Sequence, residues 1–189
     1  MVSSKFLTDT IKLTVDNSSI FLIRKFFDDE TLDKITKEID KLTQLEESWE
    51  KLDSQTTRPR KKFYGYKSEV FKEVIGYLNT EEFLTKFFNL TGYKLSKVDF
   101  HLWWDTEGYT LPMHLDNDQV KLSMQIYIGS DFHNYLGTSF GDINQAPIIT
   151  LPYMKNTGYF LSNPNTVQHG LLSTVPENFN RFSLYFYMQ

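Results

Sequence analysis

Hydrophobic residues in this chain change their period at Leu95, and that change does most to limit what it can fold into. Upstream, Leu32, Ile35, Ile39, Leu42 and Leu45 recur at helical spacing with Thr and charged residues between them. The pattern predicts one amphipathic helix over 29–48, opened by the acidic Asp28-Asp29-Glu30 where a helix N-terminus favours negative charge. Too few heptads are present for a coiled coil, so the apolar stripe is expected to pack on the rest of the chain. A second helix is expected over 69–79, with Val70, Val74 and Leu78 inward. A third is expected over 80–90, with Thr80 as N-cap and Gly92 as its stop. Ahead of these helices, Ile20-Phe21-Leu22-Ile23 reads as a short buried strand closed by Phe26-Phe27.

Downstream of Leu95 the period becomes two. Val98, Phe100, Leu102 and Trp104 alternate with Asp99, His101 and Trp103, and Asp105-Thr106-Glu107-Gly108 supplies a turn. Further strands are expected at 122–128, 138–142, 148–151, 158–162 and 182–188, with Gly, Asn, Asp or Pro in every gap. The expected fold is mainly β with N-terminal helices, an α+β arrangement built on a jelly roll or β-sandwich. An immunoglobulin-type sandwich is the competing all-β choice. One domain over 1–189 is expected, with 1–94 as a helical support region and 95–189 as the β core.

Composition narrows the setting. With 189 residues and 40% hydrophobic content the chain can bury a full core. It has no Cys, which excludes disulfides and thiolate metal sites. No apolar stretch reaches the roughly 20 residues needed to span a bilayer, and Met1-Val2-Ser3-Ser4-Lys5 lacks the features of a secretory signal. A cytoplasmic location is the expectation. The net charge of −4 argues against a protein that grips nucleic acid across its whole surface. The basic run Arg58-Pro59-Arg60-Lys61-Lys62 reads as a solvated loop, or else as a rim that attracts an anionic substrate.

Chemistry concentrates in the last part of the chain. His114-Leu115-Asp116 would put two coordinating side chains on one face of a strand, with Leu115 on the other. Such a tripeptide alone is common by chance, and so are a lone His169 and a lone Arg181. Their order and spacing change the weight. Fifty-two residues separate Asp116 from His169, enough for several strands to fold back, and eleven more precede Arg181. Two imidazoles and one carboxylate form the facial set that holds a non-haem Fe(II) with positions left open. Arg181 sits among Phe182, Leu184 and Phe186, where an unpaired guanidinium is costly to bury. A bound carboxylate would offset that cost, and Ser183 shares the strand parity of Arg181. His101 reads as structural, or as a partner to a metal ligand at best. His133 lies in an expected loop, and Trp103, Trp104 and Tyr109 read as core or as the mouth of a substrate pocket.

Taken together, these residues resemble the 2-oxoglutarate/Fe(II)-dependent dioxygenase superfamily, whose pattern is HxD, about fifty residues, His, about ten residues, then Arg, often as RxS. The resemblance covers roughly 103–187 and is nearest to small, prolyl-hydroxylase-related oxygenases of microbes and their viruses. It implies a double-stranded β-helix, cupin-like, with helices packed behind one sheet. It also implies that His114, Asp116 and His169 bind iron and that Arg181 and Ser183 bind the distal carboxylate of 2-oxoglutarate. Tyr127 and Gln125, which share one face of a neighbouring strand, are further candidates for the co-substrate. The implied reaction couples oxidation of 2-oxoglutarate by O2, with release of succinate and CO2, to hydroxylation of a small molecule or a protein side chain. Collagen-type prolyl hydroxylases carry Lys at the anchor, whereas this chain has Arg181. The nucleic-acid demethylase branch carries a second Arg several residues later, and residues 184–189 here hold none. Two other classes stand beside this one: a cupin-like isomerase or thiol oxygenase, which would use more histidines and no Arg181/Ser183 anchor, and a catalytically silent β-helix that serves as a binding domain. Substrate and oligomeric state are not encoded in any motif.

Overall fold

The computed structural model describes all residues except 4, 5, 7, 8, 16, 17, 52–58, 130, 131, 143 and 145. The polar stretch 53–57 and Arg58 therefore lie outside the described residues.

Helix boundaries follow local capping chemistry. The Thr31 N–H donates to the Asp28 carboxylate (2.8 Å) at the start of α1 (Asp29–Thr43). Ser68 and Thr80 accept from the Phe71 and Phe83 amides and cap α2 (Glu69–Leu78) and α3 (Glu81–Thr91). Gly92, at φ 77°, ends α3 in the left-handed conformation that glycine adopts without a Cβ penalty. The first helix is shorter than the expected 29–48. After Thr43 the chain makes a 3-10 turn over Glu46–Ser48, Leu45 is exposed, and the Trp49 indole N–H takes the Leu42 carbonyl at 2.9 Å. Burial of Trp49 satisfies a helix-end carbonyl that another turn of helix would otherwise have used.

Among the described residues, twelve strands form two antiparallel sheets. In chain order they are β1 (Ile11–Val15), β2 (Ser18–Arg24), β3 (Glu50–Lys51), β4 (Arg60–Tyr64), β5 (Val98–Asp105), β6 (Leu111–His114), β7 (Leu122–Tyr127), β8 (Ser139–Gly141), β9 (Pro147–Thr150), β10 (Thr157–Ser162), β11 (Gln168–Leu171) and β12 (Arg181–Met188). Eight make a large sheet in the order β1-β2-β10-β7-β12-β5-β4-β3, and four make a small one in the order β6-β11-β8-β9. This is the expected mainly-β jelly roll with helices on one sheet. Ile35 and Ile39 of α1, Phe71 and Val74 of α2, and Phe83 and Phe87 of α3 are buried in one cluster with Phe100, Leu102, Met124, Ile126, Leu184 and Phe186 of the large sheet. Each such side chain contributes roughly 1.5–3 kcal/mol on burial. Among the described residues no helix is long and apolar enough to cross a membrane.

Because alternate residues go to the helix side, the other face of the large sheet carries the polar ones, and antiparallel register sets them in rungs. One rung runs Arg60, Asp105, Arg181 across β4, β5 and β12. The next runs Lys62, Trp103, Ser183, Tyr127, and the third runs Tyr64, His101, Tyr185, Gln125, Tyr159. The solvated-loop reading of the basic run is therefore corrected for residues 60–62. They belong to β4, with Phe63 on the helix side and the Lys61 ammonium 4.0 Å from the Trp104 ring. Strands β1, β3, β4 and β11 were also not expected, and β6 only through the strand alternation of His114-Leu115-Asp116. Their alternation is short or hidden by long charged side chains.

Gly158 lets β10 lie close to β7: a Cβ there would fall 1.9 Å from the Gln125 carbonyl oxygen. Gly158→Ala is expected to lower stability by about 1–3 kcal/mol or more, because backbone must move. A urea unfolding series would measure it, and an unchanged midpoint would refute the close approach. A pH effect is expected from His101, which packs against the Tyr187 ring (4.2 Å) with its Nδ1 buried and unbonded. Burial, and after it the Lys62 charge, pushes its imidazole down to about 4. The unfolded chain then takes up a proton that the folded chain refuses, so stability falls as pH drops from about 6.5 towards about 4. His101→Gln should flatten that part of the decline, and equal pH slopes for the two proteins would remove the assignment.

Candidate metal centre and its pocket

The small sheet brings two histidines together. His114 ends β6 and His169 lies on β11, and the two are direct partners in register with ring centroids 4.6 Å apart. Asp116 is not on the strand, as its alternation with His114 had suggested. Strand β6 stops at His114, Leu115 is exposed, and the Asp116 N–H donates to the Pro164 carbonyl (3.2 Å), which turns the carboxylate back towards both rings. Asp116 Oδ1 lies 3.5 Å from each Nε2, and one donor atom from each of the three side chains falls within 4.8 Å of the others.

The donor set suits a cation. His114 Nδ1 lies 3.0 Å from the Pro112 carbonyl and His169 Nδ1 lies 3.1 Å from the Val167 carbonyl. A carbonyl only accepts, so each Nδ1 carries the proton, and a neutral ring presents its Nε2 lone pair to the shared space. Two lone pairs and a carboxylate repel one another unless a proton or a metal lies among them. Asp116 Oδ2 is buried with no hydrogen-bond partner, which leaves a second oxygen unspent. Burial pushes the Asp116 carboxyl up, but His114 and His169, whenever a proton lies between Nε2 and the carboxylate, outweigh it and hold it well below the usual carboxylate range. Three ligands of this type leave coordination positions open.

A cavity of about 250 Å³ adjoins the triad, and Arg60, Trp103, Tyr109, Gln125, Thr138, Tyr159, Tyr185 and Arg181 contribute to its walls. Arg181 is 2% exposed, its Nε donates to the Leu136 carbonyl (2.7 Å), and its Nη1 donates to Asp105 Oδ2 (2.5 Å). Burial opposes its charge, but Asp105 together with the hydroxyls of Tyr127, Tyr153 and Tyr109 outweighs this and raises its pKa. The sequence argument that Arg181 needs a bound carboxylate therefore meets a carboxylate inside the chain. Ser183, Gln125 and Tyr127 join one network. Gln125 Nε2 donates to Ser183 Oγ (2.7 Å), Thr138 Oγ1 donates to Gln125 Oε1 (3.1 Å), and the Tyr127 hydroxyl donates to Thr138 Oγ1 (2.9 Å). Gln125 and Thr138 face the cavity, while Tyr127 and Ser183 stand behind them, fully buried.

Some residues in the cavity wall or buried behind it carried no sequence signal. Asp105 read as part of a turn, although strand parity from Trp103 puts it two residues on along the same face. Arg60 was masked by its basic neighbours, and Thr138, Tyr159 and Tyr185 read as ordinary strand residues. His101 lies on the same face of the large sheet but is not among the cavity residues, and His133 pairs with Tyr153 in an isolated bridge away from the triad.

No protein-family model and no curated protein matches this chain. Solved structures do. A prolyl-4-hydroxylase from Pseudomonas putida superposes with a TM-score of 0.65 at 12% identity, covering 90% of this chain and 91% of the other. A prolyl hydroxylase from Trichoplax adhaerens, solved with a hypoxia inducible factor peptide fragment, gives 0.69 at 11% identity, covering 89% and 82%. HygX from Streptomyces hygroscopicus, solved with nickel, 2-oxoglutarate and hygromycin B, gives 0.59 at 12% identity, covering 89% and 82%. At such identities the likeness is one of fold. The chain shares the jelly-roll fold of these solved structures, with a His-Asp-His triad set into it.

Proposed function

We propose that this protein is an Fe(II)- and 2-oxoglutarate-dependent dioxygenase of one domain that hydroxylates a small molecule or a protein side chain. The observation that carries this is the convergence of His114 Nε2, His169 Nε2 and Asp116 on one point beside a cavity that also holds the buried Arg181. His114, Asp116 and His169 would hold the metal. When bound, iron supplies the activation of O2 that couples conversion of 2-oxoglutarate into succinate and CO2 to hydroxylation of a C–H bond.

The residues of this chain do the positioning. Carbonyls of Pro112 and Val167 hold the two imidazoles in the tautomer that presents Nε2. Arg181 is held by Leu136 and Asp105 where it lines the cavity, so its guanidinium is placed to meet the distal carboxylate of 2-oxoglutarate. Gln125 and Thr138 offer polar atoms on the same wall, with Ser183 and Tyr127 fixing their orientation. Trp103, Tyr109 and Tyr159 line the cavity with rings that limit water near the reacting atoms. Both substrate classes are compatible with the fold, since one neighbour was solved with a peptide and another with hygromycin B. A cupin-like enzyme with more histidine ligands has less support, because His101 and His133 are not in the triad.

Anaerobic addition of Fe(II) and 2-oxoglutarate is expected to give a weak visible charge-transfer band that requires both. Asp116→Ala should abolish it, and Arg181→Gln should raise the 2-oxoglutarate concentration needed at least about tenfold, since a buried charge pair is lost. Folded protein that binds iron but yields no band would overturn the oxygenase assignment. An Asp116→Ala variant with unchanged function would favour a silent binding domain.

A further inference from the structure

The buried rung Arg60-Asp105-Arg181 has one carboxylate between two guanidiniums. Asp105 is 0% exposed. Arg60 holds it with a fork, Nε to Oδ1 (2.5 Å) and Nη2 to Oδ2 (3.1 Å), while Arg181 reaches only Oδ2, through Nη1. Strand pairing fixes the order, because Arg60 and Arg181 are each the direct register partner of Asp105. Arg60 is also clamped between rings, with its guanidinium carbon 4.5 Å from Trp103 and 4.1 Å from Tyr109. Neither neighbouring lysine takes this place. Lys61 is on the other face, beside Trp104 and Glu46, and Lys62 is one rung away.

Electrostatics makes the second arginine matter. Asp105 and Arg181 alone would form a closed, neutral buried pair, and a ligand carboxylate would have to compete with Asp105 for the guanidinium. Arg60 brings the rung to one net positive charge and occupies both oxygens of Asp105. We infer that Arg60 is a positioning residue that holds Asp105 so that the cavity-lining guanidinium of Arg181 is not closed onto Asp105 and can meet the co-substrate carboxylate. The inference rests on the oxygenase assignment. It gives part of the basic run a role inside the site: acting on a buried carboxylate instead of attracting substrate from the rim.

The test is calorimetric titration of 2-oxoglutarate into Mn(II)-loaded wild type, Arg60→Met, Asp105→Asn and the double variant. Arg60→Met is expected to weaken binding at least about tenfold, because Asp105 then closes on Arg181. Asp105→Asn should bind at least as tightly as wild type. Adding Asp105→Asn to Arg60→Met should restore binding to within about threefold of wild type, a coupling that independent sites would not produce. Unchanged binding in Arg60→Met overturns the inference. So does a double variant as weak as Arg60→Met, which would mean that Arg60 contacts the ligand itself. In both cases wild type still binds 2-oxoglutarate and the oxygenase assignment stands, whereas a wild type that binds none overturns both. Arg60→Gln makes the same comparison if Arg60→Met does not fold.

Discussion

Asp105 has no contact with solvent, and a carboxylate in that position exists only because two guanidiniums meet it. That ionic rung ties β4 to β5 and β5 to β12, and thereby joins a short N-terminal strand to the strand that carries Arg181. It also sets the electrostatics of one part of the cavity. The carboxylate is shared unequally, with two hydrogen bonds from Arg60 and one from Arg181.

The remainder of the site comes from the other sheet. His114 and His169 face each other across β6 and β11, and Asp116 joins them from the turn that follows. The triad and the arginine rung thus belong to different sheets, and the cavity exists where those sheets face each other. The helices contribute no side chain to its walls. They bury the opposite face of the large sheet.

Much of this was legible from residue order. The three helices appear with Thr80 and Gly92 at the expected ends of α3, and β5, β7, β10 and β12 lie near their expected places. Those segments have long apolar repeats or clear breakers. Failures came where the signal is short or chemically disguised. Residues 60–64 look like a charged loop until Lys61 and Arg60 are seen lying on aromatic rings. Strand β11 is four residues with a histidine and a glycine at its centre. Past the end of α1 the Trp49 indole folds back onto the Leu42 carbonyl, a contact that no helical periodicity contains.

By itself the sequence determined which chemistry is affordable to this chain: two imidazoles, a carboxylate and an arginine at spacings that strands can close, with no thiol to replace them. It determined the class of fold for the same reason, since hydrophobic period is a local property. Only the tertiary structure decided that Asp116 reaches its partners from a turn, and that Gln125 and Thr138 face the cavity while Ser183 and Tyr127 stand behind. It alone decided that Arg181 already has an internal counter-charge and that Arg60 shares it. Those facts depend on strand register between residues up to 76 positions apart, and register is settled by the packing of whole faces, which no short stretch of sequence can express.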